Sequence, residues 1–211
     1  MIIPIFVNNG VILFSNYPII KNNYYHISHI NINYIINELW NYKKKIINIY
    51  HKNIKKIWFL IFKNYKIIRS SGGIIFDKKE EYILFIYRNN KWDFPKGKIE
   101  KNETSKKAAI REIIEECGII KKNIKIIKKI NNIYYLYKNK KNYILKDVIW
   151  YKMIMKNKFN KFIPQKEENI EKICWIYKKN IKKIFKKTYP SIKFILYFIT
   201  NKKNFITNKK N

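Results

Sequence analysis

Residues 97–119 read GKIEKNETSKKAAIREIIEECGI, and the placing of glycine, apolar and acidic residues in this stretch decides the fold. Ile110, Ile113, Ile114 and Cys117 stand at i, i+3, i+4 and i+7, the spacing of an amphipathic helix whose apolar stripe faces a core. Glu112, Glu115 and Glu116 repeat that spacing on a different face. Thr104 is placed to cap the helix N-terminus, and Gly118 suits the left-handed residue that ends it. A helix is therefore expected from about Thr104 to Cys117, with Ala108 and Ala109 allowing a close approach to a sheet. Three carboxylates on one turn repel by about 0.2–0.5 kcal/mol per pair. An isolated triplet of this kind is commonly a solvated face paired with lysines. The alternative is a hard divalent cation such as Mg²⁺, which prefers oxygen ligands.

The wider composition sharpens the choice. The chain has 211 residues, 46 Lys plus Arg against 14 Asp plus Glu, and a formal charge of +32. This length suits one full domain with a small companion. With 47% hydrophobic and 17% aromatic residues there is ample material for a core, which excludes a disordered chain. No apolar run approaches the roughly 18 residues of a membrane span, and no basic stretch precedes the N-terminal apolar residues as in a secretory signal. A cytoplasmic protein is expected. Two cysteines, Cys117 and Cys174, make neither a disulfide framework nor a zinc site. His26, His29 and His51 show no ligand spacing.

Ile, Lys, Asn and Tyr dominate, all residues with AT-rich codons, so the charge reads mainly as mutational bias on a solvated surface. It still implies a salt-sensitive attraction to polyanions, RNA among them. Under such pressure the scarce residue types carry information. Four of the five glycines (Gly72, Gly73, Gly97 and Gly118) and both alanines lie between residues 72 and 118. So do two of the three arginines, Arg88 and Arg111. Six of the 14 acids (Asp93, Glu100, Glu103, Glu112, Glu115 and Glu116) fall in the 24 residues from Asp93 to Glu116.

Residues 1–66 read as a small α/β unit. Strands at 2–7 and 11–14 flank the Asn8-Asn9-Gly10 turn, a helix contains Ile35, Ile36, Leu39 and Trp40, and a strand follows at 46–50. A second helix over 53–63 presents Ile54, Ile57, Trp58 and Ile61 on one face. Residues 67–178 form a larger α/β domain with strands at 67–76, 82–88, 124–137, 144–155 and 170–177. Residues 179–200 read as helical pieces packing on that domain, punctuated by Pro190, and 201–211 as a frayed tail.

Gly97, Glu103, Arg111-Glu112, Glu115-Glu116, Gly118 and Ile119 together resemble the box of the Nudix hydrolase family at every defining position over 23 residues. Ser71-Gly72-Gly73-Ile74-Ile75-Phe76 is similar to the family's first strand, and Trp92-Asp93-Phe94-Pro95-Lys96-Gly97 to its entry into the box. The resemblance covers residues 67–178 and leaves 1–66 outside. It implies an α/β/α sandwich with a mixed sheet, and Mg²⁺- or Mn²⁺-dependent hydrolysis of a nucleoside diphosphate linked to another group. By the same resemblance Glu115 and Glu116 are metal ligands, with Glu112 a third ligand or the base that activates water. The Gly97 carbonyl joins the metal shell, and Arg111 with Glu103 forms an orienting ion pair.

Outside the box, Glu167 or Glu168 is placed to supply a further ligand or base ahead of the last strand, or to sit in a solvated turn. Lys96 is a candidate for a substrate phosphate. Tyr151, with Tyr135 and Tyr137, is a candidate for stacking a base, set against ordinary packing for each. The FPKG approach most resembles enzymes that hydrolyse diadenosine tetraphosphate. The expected substrate is thus a dinucleoside polyphosphate, with the RNA 5′ end, ADP-ribose or nucleoside triphosphates as alternatives. A non-catalytic nucleotide- or RNA-binding module is the remaining class, against which the intact carboxylate set argues. The N-terminal unit carries no chemical motif; capping the site, homodimerisation or stabilising the fold are its open roles.

Overall fold

The computed structural model describes residues 2–41, 45–63, 65–139, 142–157 and 161–200. The expected tail at 201–211 lies outside them, as do the side chains of Ile57 and Ile61. These residues form two compact units. One is made of the described residues of 1–70 and 132–148, the other of those of 71–131 and from 149 onward. The chain passes between the units inside three long strands, a division that sequence order does not display.

In the first unit, β1 (Ile2–Val7) and β2 (Gly10–Ser15) form an antiparallel hairpin. Asn8 takes a positive φ of 52° in its turn, a conformation asparagine tolerates well. The short β3 (Tyr24–His26), α1 (Ile32–Trp40) and β4 (Ile46–Tyr50) follow, and β4 runs parallel to β2. Helix α2 (Ile54–Phe62) packs Ile54 and Phe62 into the same core as Ile12, Phe14, Leu39 and Ile49. The unit is completed by the distal parts of β9 (Ile124–Asn139) and β10 (Asn142–Met155). β1 lies parallel to β9, with Phe6 opposite Tyr135. That pairing explains why 132–148 joins the N-terminal residues. The strand order is β10–β9–β1–β2–β4–β3. The three histidines, scattered in sequence, gather here: His26 lies 5.9 Å from His29 and 5.4 Å from His51, ring to ring.

The second unit is a sheet in the order β11–β6–β5–β10–β9, built from β5 (Lys66–Phe76), β6 (Tyr82–Arg88), β11 (Ile170–Tyr177) and the proximal parts of β9 and β10, with β6 antiparallel to both β5 and β11; parallel pairs lie in the first unit. Two short strands, β7 (Lys91–Asp93) on β6 and β8 (Lys96–Lys98) on β5, were not apparent from the sequence. At three residues each they are too brief for a periodic signal. Helix α3 (Ser105–Cys117) buries Ala109, Ile113 and Cys117 against Ile75, Leu84, Ile86 and Met153. Gly73 makes this approach close, because a Cβ there would strike Ile113 Cδ1. The C-terminal stretch is a 3-10 segment over Lys178–Lys187 followed by α4 (Pro190–Thr200). Among the described residues no helix is long and apolar enough to cross a membrane.

The buried stripe of α3 is rotated from the one the spacing suggests. Ile110 and Ile114 are half-buried, whereas Glu116 is 1% exposed. The three glutamates therefore do not share one solvated face. Glu116 points to the interior, Glu112 is half-buried and Glu115 is exposed.

Candidate active site

Helix α3 is bounded as its residues dictate. Thr104 Oγ1 accepts the Lys107 N–H at 3.3 Å. At the other end Gly118, at φ +66°, donates its N–H to the Ile114 carbonyl at 2.9 Å. The approach to the helix is fixed by a hairpin. Asn89 and Asn90, at φ 48° and 59°, form a two-residue turn that sets Arg88 opposite Lys91 and Ile86 opposite Asp93. The chain then runs through Phe94, fully buried and stacked on Phe85 at 4.7 Å, into β8. Gly72 leaves room for this passage, since a Cβ there would strike the Pro95 carbonyl and Lys96. Gly97 does the same for Glu112, whose carboxylate occupies the space a Cβ would need.

Two arginines organise the acidic residues. Arg111 holds Glu103 through Nε and Nη2, both at 3.0 Å. Its Nη1 donates to Glu112 Oε1 and to Glu115 Oε2, each at 2.8 Å, and its Nη2 to the Lys98 carbonyl at 2.8 Å. Hydrogen bonds from Arg111 hold the Glu103 carboxyl below the usual range against a smaller opposing effect of burial. Burial pushes the Glu112 carboxyl up, with Glu115 and Glu168 adding to the rise and Arg111 opposing it.

The second arginine, Arg88, lies deeper. Its Nη1 donates to Glu116 Oε1 at 2.9 Å and to Glu168 Oε2 at 3.4 Å, and its Nη2 to Asp93 Oδ2 at 3.2 Å. Asp93 Oδ2 also receives the Lys96 ammonium, and Asp93 Oδ1 the Phe94 N–H at 2.8 Å. Glu116 Oε2 accepts the Lys96 backbone N–H at 2.8 Å. Burial pushes the Glu116 carboxyl up to about 7, although Arg88 and Lys96 pull the other way. Burial would also raise Asp93, but Lys96 and Arg88 outweigh it and keep that carboxyl below its usual range.

Six carboxylates (Asp93, Glu103, Glu112, Glu115, Glu116 and Glu168) thus face three cations (Arg88, Lys96 and Arg111). With all of them ionised, three negative charges remain in excess within a chain of formal charge +32. Among the described residues no three acidic, histidine or cysteine side chains stand ready as a closed cation cage. The glutamates are turned instead onto the two guanidinium groups. The donor set is nonetheless that of a hard divalent cation: carboxylate oxygens in excess of their partners, partly desolvated, against the glycine backbone at Gly97.

The structure brings together Glu103, Arg111, Glu112, Glu115, Glu116, Gly97 and Glu168. Glu167, by contrast, points to a cleft of about 440 Å³ shared with Glu115, Gly118 and Pro164. Lys96 is 7% exposed with its ammonium on Asp93, so it serves the buried network and is not a free anchor for phosphate. Tyr151 does not fit a stacking role. Its ring is 3% exposed inside the core and its hydroxyl pairs with Ser105 Oγ at 2.7 Å. Tyr135 and Tyr137 belong to the other unit. The sequence assigns no role to Arg88 or Asp93; the signals that mark them are the scarcity of arginine and the clustering of the few acids.

The family model for the NUDIX domain matches residues 66–198, and the chain belongs to that family. Among curated proteins it is similar to the RNA pyrophosphohydrolase of Histophilus somni (strain 2336), with 38% identity over 61 residues, 28% of this chain and 32% of that protein. The chain thus spans about a third of the length of the curated relatives it matches. Among solved structures, a Nudix hydrolase from M. smegmatis aligns with TM-score 0.50 and 10% identity over 63% of this chain and 83% of that one, a likeness of fold. An Ap4A hydrolase from C. elegans, solved as a binary complex, aligns at TM-score 0.49 and 20% identity over 63% and 94%.

Proposed function

We propose that this chain is a divalent-metal-dependent pyrophosphohydrolase acting on a nucleoside diphosphate-linked substrate. The observation that carries the reading is the excess of negative charge on α3 and its surroundings, in a protein whose composition otherwise runs to lysine. Glu115, Glu116 and Glu112, with the Gly97 carbonyl, would hold Mg²⁺ or Mn²⁺, and Glu168 extends the set from its loop. When bound, such an ion supplies Lewis acidity to phosphoryl oxygens and acidifies water. The protein residues do the rest. The raised proton affinity of Glu112 suits a ligand or a base that takes a proton from the attacking water. Arg111, braced by Glu103 and the Lys98 carbonyl, orients Glu112 and Glu115. The Lys96 backbone N–H and Arg88 hold Glu116, and Asp93 braces both Lys96 and Arg88. The cleft beside Glu115 offers room for a phosphate chain.

The first substrate on this reading is a dinucleoside polyphosphate, cleaved at a pyrophosphate bridge. The 5′ end of RNA is the second, favoured by the name of the curated relatives and by the basic balance of the chain. A panel of diadenosine tetraphosphate, 5′-triphosphorylated RNA, ADP-ribose and nucleoside triphosphates with Mg²⁺, read by product analysis beside a Glu115→Gln control, tests both. Mg²⁺-dependent cleavage lost in the control is expected. Preference for ADP-ribose or a nucleoside triphosphate would overturn the substrate assignment. Absence of turnover on every member would leave a binding module instead.

A further inference from the structure

We propose that Arg88 is a positioning residue that locks the loop carrying Glu168 to the helix carrying Glu116, so that both carboxylates are presented as one unit. This rests on the hydrolase reading above and deepens it. One guanidinium reaches three carboxylates from three separate elements: Asp93 on β7, Glu116 on α3, and Glu168 in the short 3-10 turn Lys166–Glu168. Nη1 is shared between Glu116 and Glu168, so the helix and the loop are joined through a single nitrogen.

Backbone hydrogen bonds dock the same loop on the same helix. Ile163 N–H donates to the Cys117 carbonyl at 3.2 Å and Gln165 N–H to the Glu116 carbonyl at 3.3 Å. These are two of the carbonyls a helix C-terminus leaves unpaired. The loop therefore closes the end of α3 at the very residue whose side chain Arg88 holds. Glu168 itself is 57% exposed, whereas Arg88 is 13% and Glu116 1% exposed. Arg88 thus connects a buried carboxylate to one that faces solvent.

Composition supplies an independent argument. Lysine outnumbers arginine 43 to three in this chain. An ammonium is a single point charge, while the planar fork of arginine offers five donors in fixed directions. Arginine persists here where three acceptors must be met at once, as Arg111 also shows.

The test combines Arg88→Lys, Arg88→Gln and Glu168→Gln in the full chain, with the wild type run on the same nucleotide panel. Positioning predicts that Arg88→Lys lowers kcat about 30-fold or more with KM changed less than threefold. It also predicts that Glu168→Gln has a much smaller effect in the Arg88→Gln background than alone. Amide hydrogen exchange of the metal-free protein gives a readout apart from turnover: residues 163–169 should exchange at least tenfold faster in Arg88→Lys, with the β5 and β6 amides unchanged. A rise in KM with kcat preserved would make Arg88 a direct substrate contact and overturn the proposal. So would additive effects of the two sites, or loop exchange equal to wild type. Wild-type protein inactive on every substrate would bring down the hydrolase reading itself; an active wild type with an indifferent Arg88→Lys would sink this proposal alone.

Discussion

The two arginine clasps use the same chemistry in different solvents. Arg111 is 31% exposed and holds Glu103, Glu112 and Glu115 at the rim; Arg88 is 13% exposed and holds Asp93 and Glu116 inside. At the rim, water shares the work and an ion pair is worth little to stability. Inside, each carboxylate has lost its hydration and leans on its partner, so removing the partner leaves a buried charge uncompensated. The difference teaches that the outer clasp is free to serve chemistry, while the inner one also carries part of the fold.

The largest effect that sharpens this contrast is on turnover. Glu116→Gln keeps the shape of the inner clasp and removes its charge. It is expected to lower kcat about a thousandfold, the several kcal/mol that metal-assisted phosphoryl transfer supplies. Circular dichroism of the variant should match wild type. Rates within tenfold of wild type would contradict the role given to the inner carboxylate.

Stability comes next and should separate the clasps directly. Arg88→Ala is expected to cost about 3–5 kcal/mol in denaturant unfolding, because Glu116 and Asp93 stay buried without it. Arg111→Ala is expected to cost less than about 1 kcal/mol while activity still falls. Equal losses would erase the distinction.

A smaller effect lies in pH. The folded-state value of Glu116, about 7, is above the usual 4.5, so the folded protein keeps that proton to higher pH than the unfolded chain. The stabilisation is full below about pH 4.5 and is lost as pH rises through about 7. The cumulative loss is up to about 3 kcal/mol in metal-free protein. Glu103 acts in the opposite sense: its lowered value gives stability that is present above the usual carboxylate range and fades as pH falls below it. Unfolding of metal-free protein followed from pH 5 to 8 should show the downward limb in wild type and not in Glu116→Gln.

The helix of the box was legible because local rules decide it. Thr104 and Gly118 act through neighbouring backbone groups and so set its two ends, although its core face, with Ala109 beside Ile113 and Cys117, is rotated from the Ile110–Ile114 stripe that spacing suggests. The ion pair of Arg111 with Glu103 was legible through the resemblance to the Nudix box, and the structure forms it. Burial of Glu116 was not, because it depends on Arg88, 28 residues away on another element. Nor could the sequence show that Tyr151 faces inward; tyrosine is too frequent here for its type to mark a role. Residues 132–148 joined the first unit through pairing of β9 with β1, a contact across more than 120 residues that no local pattern records.

The central claim is that the surplus carboxylates exist to take up a divalent cation. Calorimetric titration of Mg²⁺ or Mn²⁺ into metal-free protein at pH 8 tests it most directly. Saturable uptake in wild type, lost in both Glu115→Gln and Glu116→Gln, is the predicted result; no uptake in wild type, or uptake unchanged by either substitution, would contradict it.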